Sequence, residues 1–508
     1  MNTFKRKALF TAVVAGLGTV AGTAEAVFIA PNGTGQALVY PYYTARSNGT
    51  DSWNTYISVV NTTDDAKAVK VRVLEGRTSA EVLDFNLFLS ANDVWAAAIV
   101  PTADGAKIIT GDNSCTAPEI PFPDGQNFRN FQYVGQAAAL GRTLDRTREG
   151  YVEIIEMAQL TGTFAAAVTH ANGVPDDCAA VRVNDYTIDF AGEFFEPSGG
   201  LMGTGTLISP NTGLDSGYKA DALDAFSQVE TLTGPGATTP SLQQVDPPTG
   251  VFFNSGWDPL NLNSMTATVY RVDFAATLSS HATPGALALA SIFMHETVMN
   301  EYILDEGTAS LTDWVLTQPA KNFFVDDVTA APPYTEILTD DGACEEISFT
   351  FLNREEEGAT AGGIDFSPPA PAGPGSAICW ETTVLSIVND SAHMPDDDTT
   401  SGILFSKNTK QVAVRDGFEN GWARLTFASA NAAPGGVGLL SDATSERAQV
   451  SPGVFVAAAG AVTQFGLPVT GFMIRTFTRD NIACNAGACQ GNYSAIFGHS
   501  YRSLNTLP

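Results

Sequence analysis

Histidine and cysteine are the scarcest chemically useful residues in this chain, five and six among 508. So few imidazoles leave a serine or cysteine triad short of bases, and no G-x-S-x-G elbow supplies a nucleophile. No C-x-x-C pair or neighbouring histidine accompanies any cysteine, which disfavours zinc. Basic residues are also few, 26 Lys and Arg against 55 Asp and Glu. Such an excess repels nucleic acid, anionic lipid and anionic polysaccharide, and leaves partners that are neutral, cationic or bridged by divalent ions. Long apolar runs are missing from the body of the chain. The longest stretch, Val454 to Ile474, is interrupted by Gln464, Pro468 and glycines and reads as two β-strands joined by a turn, not a membrane span.

What is present begins with a leader. Lys5, Arg6 and Lys7 precede an apolar run from Ala8 to Val20, and Ala24 and Ala26 form an A-x-A cleavage pattern. Residues 1–26 therefore read as a secretory signal peptide, with the mature chain expected to start at Val27 and to be periplasmic, cell-surface or extracellular. Removing the leader leaves 23 basic and 54 acidic residues, a net charge near −31. In an exported chain six cysteines read as disulfides. Spacing favours neighbours: Cys115 with Cys178, Cys344 with Cys379, and Cys484 with Cys489.

Periodicity points to a mainly β fold. In AVKVRVLEG, Val69, Val71 and Val73 alternate with Lys70 and Arg72; in EVLDFNLFLS, Leu83, Phe85, Leu87 and Leu89 share one face. The turn formers NTTDD between TYISVV and AVKVRV predict a hairpin. Further strands are expected in DVWAAAIVP, GYVEIIEMAQL, TATVYRVDFAA, DWVLTQP, NFFVDDV, SFTFLN, ETTVLSIV, ARLTFAS and GFMIRTFTR. Short strands at regular spacing indicate antiparallel β-sandwich domains of the immunoglobulin-like kind with a few short helices. GYKADALDAFSQVETL carries apolar residues at helical spacing. TPGALALASIFMHETVMNEYIL could begin a buried helix with Thr283 as N-cap and Pro284 next, or form a pair of strands. The length suggests three domains, 27–145, 146–335 and 336–508. Pro/Gly-rich segments at Gly234 to Gly250, Ala330 to Tyr334 and Asp365 to Gly375 are linkers or surface loops.

One resemblance covers most of the mature chain. The run LVYPYYTAR…WNTYISVVNTTDDAKAVKVRVLEGRTSAEVLDFNLFLSANDVW, together with GYVEIIEM, THANGVPDDC, NEYILDEGTASLTDWVLTQPAKNFFVD, CWETTVLSIV and GLPVTGF, resembles exported proteins of Gram-negative bacteria labelled hypothetical or cell-surface proteins. The resemblance implies export and a shared β-rich architecture, and no activity or catalytic residue.

The remaining motifs are near misses. His295 to Met299 (HETVM) begins like a zinc-protease helix, but Met299 stands where the second histidine is required. GGLMGTGTLISPNTG lacks the last glycine of a dinucleotide fingerprint and reads as a turn and strand edge. Glu153 and Glu156 have an odd separation, which in a strand puts them on opposite faces, so they cannot confront one glycosidic bond. Glu156 is expected in a structural ion pair with Arg146 or Arg148. The acids of REEEG, Asp340–Asp341 and Asp396–Asp398 lack calcium-loop spacing and read as solvated loops.

The residues left with a possible binding role are aromatic. VYPYYTAR brings Tyr40, Tyr42 and Tyr43 close together, with Trp53 following, and Pro41 favours an edge or a strand start. Core packing is the main reading, and a platform for neutral sugar rings the alternative. The expected function is non-catalytic, in cell-surface or extracellular-matrix structure or adhesion, with the protein itself or neutral surface glycans as partners. The alternative is a carbohydrate-binding or carbohydrate-active exported protein. No cofactor, metal or catalytic residue is assigned.

Overall fold

The computed structural model describes residues 26–183, 186, 192–254, 268–274, 282–360, 377–392, 400–427, 439–440, 444–449, 455–459, 463–484 and 487–506. The leader before residue 26, the segment 365–375 and the acids at 396–398 lie outside the described residues.

Alternating apolar residues set the first half of the fold. It contains β1 (Ala37–Thr44), β2 (Asn54–Asn61), β3 (Ala66–Glu75), β4 (Glu81–Leu89), β5 (Val94–Pro101), β6 (Ala106–Ile109), β7 (Glu149–Leu160), β8 (Leu201–Ser209), β9 (Leu214–Lys219) and β10 (Asp221–Asp224). One antiparallel sheet carries the order β10-β1-β7-β3-β4, and a second the order β9-β8-β2-β5-β6. Val69, Val71, Val73, Phe85, Leu87 and Leu89 of the first meet Ile57, Val59, Trp95 and Ile99 of the second in one hydrophobic cluster. Phe85 lies against Trp95 with ring centroids 5.7 Å apart, on the face the alternation predicts.

The second half adds α1 (Pro284–Phe293), β11 (Thr297–Ile303), β12 (Leu311–Thr317), β13 (Glu345–Asn353), β14 (Thr382–Asn389), β15 (Thr409–Val414), β16 (Asn420–Phe427), β17 (Thr470–Cys484) and β18 (Gly487–Gly498). β13, β16 and β11 form part of one antiparallel sheet, and β15-β14-β12-β17-β18 another, with β14 and β15 parallel. Thr283 caps α1 by accepting from the Ala286 amide, and Pro284 opens its first turn. The helix is buried along its length, which explains its apolar residues on every side. HETVM then leaves the helix and enters strand structure.

Hydrogen bonding continues across positions 145 and 335, where the sequence suggested divisions. β7 pairs with β1 and β3, and β12 pairs with β14. Val315, Val384, Leu404 and Phe472 also complete the core between the first two sheets.

Several sequence expectations are corrected. TYISVV and AVKVRV do not form a hairpin: β2 and β3 belong to different sheets, and NTTDD carries the chain across the core between them. Turn residues mark a reversal without naming the partner; here both apolar faces are satisfied by facing each other across the core. GYKADALDAFSQVETL is not helical. Its first part ends β9 and forms β10, where Ala222 and Leu223 pair with Leu38 and Ala37, so strand pairing and burial override the helical spacing. NFFVDDV is not a strand; Lys321–Phe323 is a single 3-10 turn. GGLMGTGTLIS lies inside its sheet, between β9 and β2, and not at an edge. A Cβ on Gly203 would fall 2.1 Å from the Tyr40 hydroxyl, and one on Gly205 2.2 Å from the Tyr218 ring. The glycines of β8 are thus the space that two buried tyrosines occupy. Pro41 also lies in an interior strand, at a register shift between β1 and β7, where the ladder does not need its missing N–H.

The outer face of β3 is not solvated either. Asn86 donates to Thr233 O (2.7 Å), Lys70 lies 3.4 Å from Gly234 O, and Leu242 is fully buried. The expected linker beginning at Gly234 is therefore a strap over the charged face of the sheet. Ala331 and Tyr334 of the second expected linker are likewise buried.

Candidate functional site

The four aromatic residues of the N-terminal platform are all core residues. Tyr40, Tyr42, Tyr43 and Trp53 are buried, and each polar atom has a protein partner. Tyr40 donates to Ser58 O (2.8 Å), Tyr42 to the Glu149 carboxylate (3.1 Å), Tyr43 to Thr147 O (3.0 Å), and the Trp53 indole to Ile403 O (2.8 Å). Burial raises all three tyrosine pKa values well above the usual phenol range. None of these rings presents an open face to a ligand.

Glu153 and Glu156 sit in separate buried ion pairs. Glu153 meets Arg72 (2.7 Å), which also holds Glu81 (2.8 Å). Glu156 meets Lys67 (2.7 Å), not Arg146 or Arg148, and accepts from the Ser198 and Gly199 amides as well. Arg146 is engaged with Glu75 (2.7 Å). Disulfides join Cys115 to Cys178 and Cys344 to Cys379. Cys484 and Cys489 lie on the paired strands β17 and β18; their side chains lie outside the described residues.

A cavity of about 380 Å³ opens where the two halves meet. One wall is the β3–β4 turn. There the Glu75 carboxylate gathers the Arg77 amide (2.9 Å), the Thr78 amide (2.8 Å) and the Arg146 guanidinium, and Ser79 adopts a left-handed φ of 54°. The opposite wall is the 3-10 turn at Lys321 and the segment entering β14, which carries Cys379 and Glu381. The Gln318 amide donates to Glu381 O (2.7 Å) and ties those two segments together.

Glu381 and Lys321 are both nearly inaccessible. Burial pushes the Glu381 pKa up to about 8, and nearby Glu75 adds to it; Lys321, the Ser79 hydroxyl and the Asn322 amide pull it down. Ser79 Oγ accepts from Tyr151 (2.8 Å), which frees its own proton for Glu381. Burial lowers the Lys321 pKa against the pull of Glu381 and Glu345. Lys321 donates to Ala343 O (2.6 Å) and Cys379 O (3.2 Å), on either side of the Cys344–Cys379 disulfide. By contrast Glu381 Oε2 and Asn322 Oδ1 are buried with no hydrogen-bond partner in the protein. Among the described residues no group of three or more His, Cys, Asp and Glu is placed to hold a metal ion.

A second feature is exposed. On the β17–β18 hairpin Phe477 pairs with Tyr493, and Met473 with Phe497. Arg475 lies over Phe497 at 4.7 Å and over Phe477 at 5.5 Å, and bonds Glu301 at 3.2 Å. Glu301 in turn faces Trp422 across β11 and β16. Tyr493, Phe497 and Trp422 are 66%, 44% and 42% exposed. The alternation in GFMIRTFTR and the four-residue spacing of Tyr493 and Phe497 place Phe477, Tyr493 and Phe497 on one face of the hairpin, a signal that the denser cluster at Tyr40 obscured.

No helix among the described residues is long and apolar enough to cross a membrane. No protein-family model matches the chain, and neither a curated protein nor a solved structure matches it.

Proposed function

We propose that this chain is an exported protein of the cell surface or surrounding matrix that acts by binding and assembly, without catalysis. The observation that carries the reading is the set of exposed rings Trp422, Tyr493 and Phe497, with half-buried Phe477 beside them and Arg475 and Glu301 linking their strands, on an otherwise acidic molecule. Exposed aromatic faces mark contact surfaces, because each offers a large apolar area at small cost in side-chain freedom. The leader, the disulfides, the paired sheets of a sandwich-like scaffold and the resemblance to exported Gram-negative proteins support the same reading.

A carbohydrate-binding role is the second reading, favoured by the same rings, since the C–H faces of neutral sugars stack on them and the acidic surface does not repel them. Fractionation of the native cell with electron microscopy of the purified protein tests location and assembly. Retention on cellulose and chitin, compared for the wild type, Trp422→Ala and Tyr493→Ala, tests the ligand. A soluble periplasmic monomer whose retention is absent or unchanged in both variants would remove both readings.

A further inference from the structure

We propose that the cavity between Ser79, Lys321 and Glu381 is a binding site for a small organic ammonium compound. This inference is independent of the surface strip and stands or falls without it. Two residues that line it, Glu381 and Asn322, carry buried acceptors, Oε2 and Oδ1, that have no partner in the protein. Leaving a buried polar atom unpaired costs roughly 1–3 kcal/mol, more for a charged group, so the pair calls for a donor from outside.

The chemistry of the walls selects the kind of donor. The cations present are already engaged: Lys321 by two backbone carbonyls, and Arg77 by Asn408 Oδ1 (3.0 Å) and Leu140 O (3.3 Å). Neither is positioned as a free anchor for an anion. Three carboxyl groups, Asp326, Asp327 and Glu381, line the cavity against those two cations, with Asp327 exposed at the rim. The net acidity of the whole chain concentrates cations around it. Ala80, Val325 and Leu338 give the carbon skeleton an apolar wall, and about 380 Å³ is far more than one water or a bare ion fills. The ammonium group donates to Glu381 Oε2 and Asn322 Oδ1. Where Glu381 is protonated beforehand, its proton leaves to solvent as the cation enters, so occupancy rises with pH up to the ligand's own pKa.

The test uses the full mature chain and three probes of nearly the same size: D-glucosamine, D-glucose and D-glucuronate, at matched ionic strength. Calorimetric titration and thermal midpoint are expected to show saturable binding of glucosamine alone. Glu381→Gln and Asn322→Ala, each checked for folding by circular dichroism, are expected to weaken it by ~10-fold or more. Equal binding of glucose would mean that the cavity reads hydroxyl groups and would overturn the ammonium assignment. Preference for glucuronate, absence of saturable glucosamine binding, or full affinity in folded Glu381→Gln would overturn it too.

Discussion

The Lys67 ammonium lies 2.7 Å from the Glu156 carboxylate, and neither group is exposed to solvent. Removing one partner of such a pair leaves an uncompensated buried charge, which costs about 3–5 kcal/mol. Lys67→Met is expected to lower stability by that amount in urea denaturation. Adding Glu156→Gln is expected to recover part of the loss, because glutamine carries no charge; the Ser198 and Gly199 amides bond different carboxylate oxygens, and the one amide oxygen of glutamine keeps one of these two bonds. A double variant no more stable than Lys67→Met would show that the pair is not what holds this part of the sheet.

Phe85 fills the space between the first two sheets beside Trp95. Its replacement by alanine is expected to cost roughly 3–5 kcal/mol. An unchanged denaturation midpoint would contradict the packing described.

The glycines of β8 and β9 have opposite roles. Gly203→Ala places a methyl group on the Tyr40 hydroxyl and is expected to destabilise by about 1–3 kcal/mol. Gly217 has nothing closer than 3.7 Å to its would-be Cβ and lies in an extended strand. Gly217→Ala is expected to be neutral or to stabilise by up to ~1 kcal/mol, through the unfolded chain. The two thermal midpoints, measured together, check the assignment.

Glu381 gives stability a pH dependence of known sign. Its folded pKa of about 8 lies above the unfolded value of about 4.3, so the folded chain binds the proton more tightly. The contribution is full below the unfolded value and is lost as pH rises through about 8. Glu381→Gln cannot ionise and is expected to gain on the wild type between about pH 5 and pH 8. Parallel stability curves for the two proteins would refute the shift.

The Cys344–Cys379 bridge closes a separation of 35 residues. Replacing both cysteines by serine is expected to cost roughly 4 kcal/mol on the chain-entropy account. Intact mass before and after reduction and alkylation is expected to show all six cysteines protected until reduction, which includes Cys484 and Cys489.

How much of this could be read beforehand depends on the range of each interaction. The inward face of β4 is a local pattern and was legible; the Thr283 cap was visible as well, but the apolar run after it fitted a buried helix and a pair of strands alike. Cys115–Cys178 and Cys344–Cys379 followed from spacing. Strand partnership was only partly legible: β2 looked like the hairpin partner of β3 because the turn between them is local, while β2 pairs with β5 and with the distant β8, and β3 with its neighbour β4 and with the distant β7. Alternation puts Lys70 and Arg72 on the face opposite the valines, but it cannot foresee a strap from residue 233 onward that covers this face. The cavity was invisible for a related reason. Ser79, Lys321 and Glu381 carry no motif, and only the meeting of two halves makes them neighbours.

Trp53 reaches Ile403 over 350 residues, Arg77 reaches Asn408 over 331, and Ser216 reaches Ser494 over 278. Contacts of such separation slow folding, because long loops must close before the contacts that reward closure can form. The core between the first two sheets stays unsealed until Val384, Leu404 and Phe472 arrive. During synthesis the N-terminal sheets therefore remain incomplete, with apolar surface uncovered, until nearly the whole polypeptide is available. Late completion of the fold is the expected consequence.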